Sequence, residues 1–283
     1  MRILLIPDIP NGNSSGTLSA SATVRQLLSL GHQVYVIGRA IDTGHSIPEG
    51  ALYHPAPTNF RWYEHIASPK LTSWFDRLCD AFQPDYLLMI GSIQKPAALA
   101  RRARRRGMKT AFLFYINDFF CTRVYAGLAS GPCTACAARP EIPALRNRCY
   151  GPGRFGQFIK SAIVRALLRR EIRKAHRVLG YSKSQTAIHA MTGVAPQALR
   201  KVTFQFDPSD LDEWAPSDDG YFAITGQAIM QKGFHLLAGI LSRLPPTVRV
   251  KMSIYHPDEA PGIIERFGLQ PFSDNGQLQF VYG

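Results

Sequence analysis

Short, unbroken apolar runs recur along this chain, and each is followed by a stretch whose apolar residues fall at helical spacing. Residues 2–6, 33–37, 85–90, 109–115 and 177–181 carry the β-branched, leucine and aromatic content of buried strands. A strand that is apolar on both faces needs cover on both faces, and the intervening helices supply it. The pattern therefore points to an α/β fold with a parallel sheet rather than a sandwich or a helical bundle. Helices are expected from about Thr17, carrying Leu18, Val24, Leu27 and Leu28 and closed by Gly31; over 71–82; over 96–106; and after Ser182, whose hydroxyl suits an N-cap. Residues 1–206 read as one doubly wound domain.

Composition breaks at 207–220, which is acidic, contains proline and shows no periodicity, as a linker would. Beyond it the alternation restarts, with strands expected at 221–225, 248–254 and 277–281. Only 63 residues follow the linker, where an α/β domain of this pattern usually needs about 100 or more. The second domain, 221–283, is expected to be incomplete.

The net charge of +13 is concentrated: residues 101–177 hold 18 basic and 3 acidic side chains, while the flanking segments are near balance. Arg101 to Arg106 is one source, and the stretch from Arg154 to Arg177 is the other. In that stretch Phe155, Phe158, Ile159, Ile163, Leu167 and Ile172 fall on one helical stripe, with Lys160, Arg165, Arg169, Arg173 and Arg177 mostly off it. Such a helix suits either an anionic membrane surface or core packing with a solvated basic face. Nucleic acid fits less well, since no aromatic-interleaved platform accompanies the charge. No apolar stretch approaches the roughly 20 residues of a membrane span. The opening run meets Pro7 and Asp8 too soon for a signal peptide. A cytoplasmic protein is expected, peripheral at the inner membrane face if the basic helix meets lipid.

Three segments carry residue types suited to binding or chemistry. Gly226-Gln-Ala-Ile-Met-Gln-Lys-Gly233 follows an apolar strand and precedes Phe234, Leu236, Leu237, Ile240, Leu241 and Leu244 at helical spacing. Lys232 and Gly233 thus stand near an expected helix N-terminus, where free N–H groups attract anions; an ordinary turn with a solvated lysine is the alternative. Asn11 to Gly16 is a glycine-containing loop in which Gly12 and Gly16 allow close backbone approach, or simply make a surface turn. Cys121, Cys133, Cys136 and Cys149 lie within 119–152, a segment rich in Gly, Pro and Arg. Their spacing suits a structural zinc that staples the loop, with free thiols or a redox pair as the alternatives. Cys79, in an apolar helical stretch, is expected to be buried.

Taken together, residues 2–6, the 11–16 loop, Leu30-Gly-His-Gln-Val-Tyr-Val36, the 226–233 turn and Leu179-Gly-Tyr-Ser-Lys-Ser184 resemble the family 4 retaining glycosyltransferases of the GT-B fold. The resemblance implies two Rossmann-like domains, the first holding mainly the acceptor and the second the nucleotide-sugar donor, a UDP- or GDP-sugar. It implies that Lys232 and Gly233 contact the donor diphosphate, with Gln227 standing where family members usually have arginine. Asn117 and Asp118 stand where many members carry a histidine–aspartate pair. Asparagine can hydrogen-bond a sugar hydroxyl but cannot exchange a proton near neutral pH, and Asp118 either orients a hydroxyl or caps a turn.

Some family members resemble this chain in bearing a cysteine insert after the same strand. The implied function is transfer of a sugar to a carbohydrate or lipid-linked hydroxyl, in cell-surface polysaccharide or glycoconjugate synthesis. Two other readings stay open: a GT-B nucleotide-sugar epimerase, and a non-catalytic zinc-stapled basic protein that binds anionic membrane or nucleic acid. Because the family's donor-selecting acidic loop would fall after Gly283, little transferase activity is expected of these 283 residues alone.

Overall fold

A computed structural model of the chain describes residues 1–7, 15–39, 47–91, 96–115, 117–122, 127–128, 131–139, 141–151, 153–203, 220–226, 228, 232–254 and 256–282. The chain divides into two compact units, Met1–Asp210 and Leu211–Gly283. Apart from Gly220, the expected 207–220 linker lies outside the described residues.

In the first unit the strands are β1 (Arg2–Ile6), β2 (Gln33–Gly38), β3 (Leu52–Pro55), β4 (Tyr86–Gly91) and β5 (Lys109–Phe114). A two-residue antiparallel ribbon follows, β6 (Gly127–Leu128) with β7 (Gly131–Pro132), and then β8 (Arg177–Gly180) and β9 (Leu199–Lys201). Seven of them form one parallel sheet in the order β3-β2-β1-β4-β5-β8-β9. The order reverses beside β1, which pairs with β2 on one side and with β4 on the other, Ile3 opposite Tyr86 and Leu5 opposite Leu88. Successive side chains of a strand face opposite sides. Leu4 and Ile6 accordingly enter one core with Ile37, Phe75, Leu87 and Phe112, while Leu5 enters the other with Val24, Val36, Ile90 and Leu113. This explains why the strand runs are apolar throughout.

The helices are α1 (Ser15–Ser29), α2 (Pro69–Phe82), α3 (Ala97–Arg105), α4 (Ala135–Ala138), α5 (Ile142–Arg146), α6 (Phe155–Ile172) and α7 (Lys183–Met191). Gly31, at φ +76°, closes α1 by donating to the Leu28 carbonyl. Ser182 Oγ caps α7 by accepting from Gln185 N at 3.0 Å. Cys79 is buried on α2, and burial pushes its thiol up to about 12. Gly12 lies outside the described residues, whereas Gly16 stands in the first turn of α1 rather than in a loop. A side-chain-free residue tolerates that first turn, so the glycine does not mark the end of the loop.

The basic helix departs from its sequence pattern. Arg165 and Arg169, expected on a wet face, are 2% and 3% exposed, while Phe155, Ile159 and Ile163 are exposed. Unpaired carbonyls in the 119–151 insert explain the inversion. Arg169 donates to the carbonyls of Phe119 (3.1 Å), Phe120 (3.1 Å) and Cys136 (2.9 Å). Arg165 forks onto Glu141 at 2.7 and 2.9 Å and also reaches Thr122 Oγ1. Buried carbonyls without donors would each cost about 1–3 kcal/mol, so the arginines turn inward.

These contacts also replace the expected zinc staple. Among the described residues no group of three or more His, Cys, Asp or Glu stands together to hold a metal. Cys121, Cys133, Cys136 and Cys149 are not joined in disulfides. Burial raises the Cys136 thiol, with Glu141 acting in the same sense. Among the described residues of the insert, Phe119, Phe120, Ala137 and Ala144 enter the main core, and Arg165 and Arg169 bind Glu141 and the carbonyls of Phe119, Phe120 and Cys136.

In the second unit β10 (Tyr221–Ile224), α8 (Leu237–Leu241), β11 (Arg249–Ile254), α9 (Glu259–Phe267), α10 (Gln270–Asp274) and β12 (Leu278–Tyr282) follow in turn. The three strands are parallel in the order β10-β11-β12. Phe234, Leu237, Leu241, Val250, Met252, Ile254 and Leu269 form its core.

Candidate functional site

In a parallel α/β sheet the carboxyl ends of the strands collect the loops that bind ligands. In the second unit a cleft of about 400 Å³ opens there, between the turn after β10 and one face of α9, from Asp258 before its first turn to Arg266 in its last. Gly226, Ala228, Ile254, Asp258, Glu259 and Arg266 line it. Gly226 has φ +107°, a conformation that side chains resist, and an added Cβ would meet nothing within 4 Å. Its glycine is therefore required by backbone shape, not by crowding. Two carboxylates and a guanidinium within one open cleft can accept hydroxyl hydrogen bonds and pair with an anion.

Lys232 is exposed and precedes Gly233, which adopts φ +83°. Gly233 starts a 3-10 turn at Phe234–Leu236 that runs into the five-residue α8. The spacing of apolar residues through Leu244 implied a longer helix; Pro245 and Pro246 follow closely, and the helix ends at Leu241. The dipole at Lys232 is correspondingly that of a short element. Buried Phe234, its ring 5.9 Å from Phe267, anchors the turn. Lys232 and Gly233 are not among the described residues lining the cleft, and Gln227 lies outside the described residues.

At the carboxyl ends of β5 and β8 in the first unit a second polar group assembles. Gln185 ties the two ends together, its Nε2 donating to the Phe114 carbonyl and its Oε1 accepting from Tyr181 N at 2.8 Å. The rings of Tyr115 and Tyr181 stack at 5.9 Å. Ser19 Oγ and Tyr181 Oη are 2.9 Å apart. Burial holds the Tyr181 phenol above its usual range, against the opposing effect of Ser19, so it stays a neutral hydrogen-bonding group. Asn117 follows, half-buried, and its backbone carbonyl accepts from Phe120 N and Cys121 N, making a tight turn. Asp118 is buried within that turn, next to Phe119 and Phe120, which are 0% and 1% exposed. Asn117 is thus the more open member of the pair.

Asp258, Glu259, Arg266, Ser19, Tyr115 and Tyr181 were not among the expected site residues, although Tyr115 and Tyr181 lie in segments read as strand or motif. The two tyrosines carried the one available signal, since each directly follows a strand, at the edge where such sheets bind. His32 is half-buried and His176 and His235 are exposed. Two histidines are deeply buried: His65, 2% exposed, and His189, 0% exposed and stacked 4.5 Å from Phe119.

Two α/β units in succession, each with a parallel sheet, define the GT-B class of fold. No protein-family model and no curated protein matches the sequence. Solved structures do match. The UDP-GlcNAc 2-epimerase from Methanocaldococcus jannaschii aligns with a TM-score of 0.56 at 14% identity, over 100% of this chain and 73% of that one. Anabaena Alr3699/HepE in complex with UDP-glucose aligns with a TM-score of 0.58 at 13% identity, over 100% and 69%. The lipopolysaccharide outer core galactosyltransferase WaaB aligns with a TM-score of 0.56 at 10% identity, over 100% and 68%. At these identities the likeness is one of fold.

Proposed function

We propose that this chain is a glycosyltransferase whose second unit holds a UDP- or GDP-sugar and whose first unit holds a hydroxyl acceptor. The observation that carries the reading is the cleft at the carboxyl ends of β10 and β11. It joins a glycine turn, a guanidinium at Arg266 and two carboxylates at Asp258 and Glu259. A nucleoside diphosphate needs positive charge at its phosphates and acceptors at its ribose hydroxyls, and these groups supply both. Lys232, close in sequence to the Gly226 turn and exposed, adds a second cation for the charge that develops on the leaving diphosphate. Fold neighbours in complex with UDP and with UDP-glucose, and a galactosyltransferase, support the same chemistry.

In the first unit, Asn117 would hydrogen-bond a sugar hydroxyl, with Tyr115 as a stacking surface, while the fully buried Ser19 orients the Tyr181 hydroxyl. The finer assignment is a retaining family 4 enzyme of cell-surface polysaccharide or glycoconjugate synthesis, resting on the motif resemblance alone. The epimerase among the fold neighbours gives a second reading of the same donor chemistry. Calorimetric titration with UDP-glucose and GDP-mannose tests the donor site: binding by the wild type and about tenfold or weaker binding by Arg266→Ala is expected. Absence of any nucleotide-sugar binding would overturn the reading. Formation of the 2-epimer from UDP-GlcNAc without acceptor would favour the epimerase.

A further inference from the structure

The exposed face of α6 is apolar where the fold does not need it to be. Phe158, Leu168 and Ile172 fill the core side of the helix. Phe155, Ile159 and Ile163 stand four residues apart on the opposite side and are 52%, 41% and 37% exposed. Beside α6 lies the 3-10 turn Trp62–His65, which with its neighbour presents Trp62, Tyr63 and Ile66 at 39%, 45% and 45% exposure. Lys160 links the two rows, its Nζ 5.8 Å from the Trp62 ring centroid. Six large apolar side chains are thus gathered on one surface, beyond the scattered exposure normal for a soluble face.

The charge around this patch has one sign. The three acidic residues of 101–177 all turn inward: Asp118 is 6% exposed, Glu171 is 3% exposed and paired with Arg101 and Arg104, and Glu141 is paired with Arg165. Glu64, within the 3-10 turn itself, is 3% exposed and accepts from Arg61 N. Arg61, Arg154, Lys160 and Arg170 remain exposed along the two rows. Apolar and aromatic side chains flanked by cations, with the nearby carboxylates turned inward, match the interface of a bilayer that carries anionic lipid. Tryptophan and tyrosine favour that depth. A second copy of the chain would bring like charge against like charge.

We propose that α6 and the Trp62–His65 turn dock the first unit onto an anionic membrane surface. The docking is peripheral, since no helix among the described residues is long and apolar enough to cross a membrane. It stands independently of the proposed donor site.

Vesicle co-sedimentation of the full chain tests it, comparing phosphatidylcholine vesicles with vesicles containing about one-third phosphatidylglycerol. Binding only to the anionic vesicles is expected, with partitioning reduced about tenfold or more by Ile159→Ser with Ile163→Ser and about fivefold by Lys160→Glu. Leu30→Ser, at an exposed apolar residue elsewhere in the unit, should bind as the wild type does. Trp62 fluorescence should shift to shorter wavelength on binding, and Trp62→Phe should remove that shift. Circular dichroism confirms that each variant folds. No sedimentation with either vesicle would overturn the proposal, as would equal binding by folded patch variants. A wild-type dimer that the isoleucine variant makes monomeric would equally overturn it, in favour of self-association.

Discussion

The two units use positive charge in opposite ways. In the first, Arg165 and Arg169 are buried and bound to carbonyls and a carboxylate of their own chain. In the second, Lys232 is exposed and Arg266 opens into a cleft. The segment with the greatest charge density is therefore not the one that lines the cleft beside Gly226. Arg165 and Arg169 are held by acceptors of their own chain, and only cations left outside such networks, such as Arg154 and Arg170, are available to a partner. Partners, more than counts, tell a structural cation from a binding one.

Removing a cation from each unit should separate the two uses most clearly. Arg169→Ala leaves three carbonyls without that donor, and about 3–5 kcal/mol of unfolding free energy should be lost in urea titrations. Lys232→Ala should stay within about 0.5 kcal/mol of the wild type in the same titration. If Arg169→Ala were equally mild, the comparison would fail.

Acid should act on the first unit through its buried histidines. Burial lowers both His65 and His189 from 6.5 to about 4. Between those values the unfolded chain binds protons that the folded chain refuses, so stability falls as pH drops from 6.5 toward 4, by about 3 kcal/mol per histidine at most. Hydrogen exchange at pH 5 and pH 7 would show lost protection around α7. Both ring nitrogens of His189 lack hydrogen-bond partners among the described residues. His189→Phe should flatten part of the pH dependence and raise stability at pH 5.

Smaller effects are expected at the cleft. Gly226→Ala should cost about 1–2 kcal/mol through its positive φ and weaken nucleotide-sugar binding measured by calorimetry. Chelation by EDTA should leave the urea midpoint of the wild type unchanged, since arginines and core side chains hold the insert. A large drop would restore a metal to the comparison and remove the arginines from it.

The sheet of the first unit was legible because its strands β1, β2, β4, β5 and β8 are largely buried on both faces, so polar residues are mostly confined to their first positions, such as Arg2, Gln33, Lys109 and Arg177. β3 and β9 were not legible. They are short and lie at the two sheet edges, with Leu52, Arg200 and Lys201 exposed, so burial imposes no apolar run on them. The stripe on α6 was found, but its direction was not. Periodicity gives the angular spread of apolar residues, while the inward face was decided by carbonyls of Phe119, Phe120 and Cys136, distant in sequence. The Gly226 turn was visible from its glycine and the strand before it. Asp258, Glu259 and Arg266 were hidden because only the βα geometry brings them to that turn.

The Arg169 staple also sets an order of events during synthesis. Its acceptors precede it by 33 to 50 residues. At about 5–20 residues per second the insert leaves the ribosome some seconds before the guanidinium that will satisfy it. Until then those carbonyls must remain in water, and the insert cannot close. A nascent chain stalled before Arg165 should be cut readily within 119–151, and one released beyond Ile172 should resist. For this chain, maturation of an early segment waits on a late one.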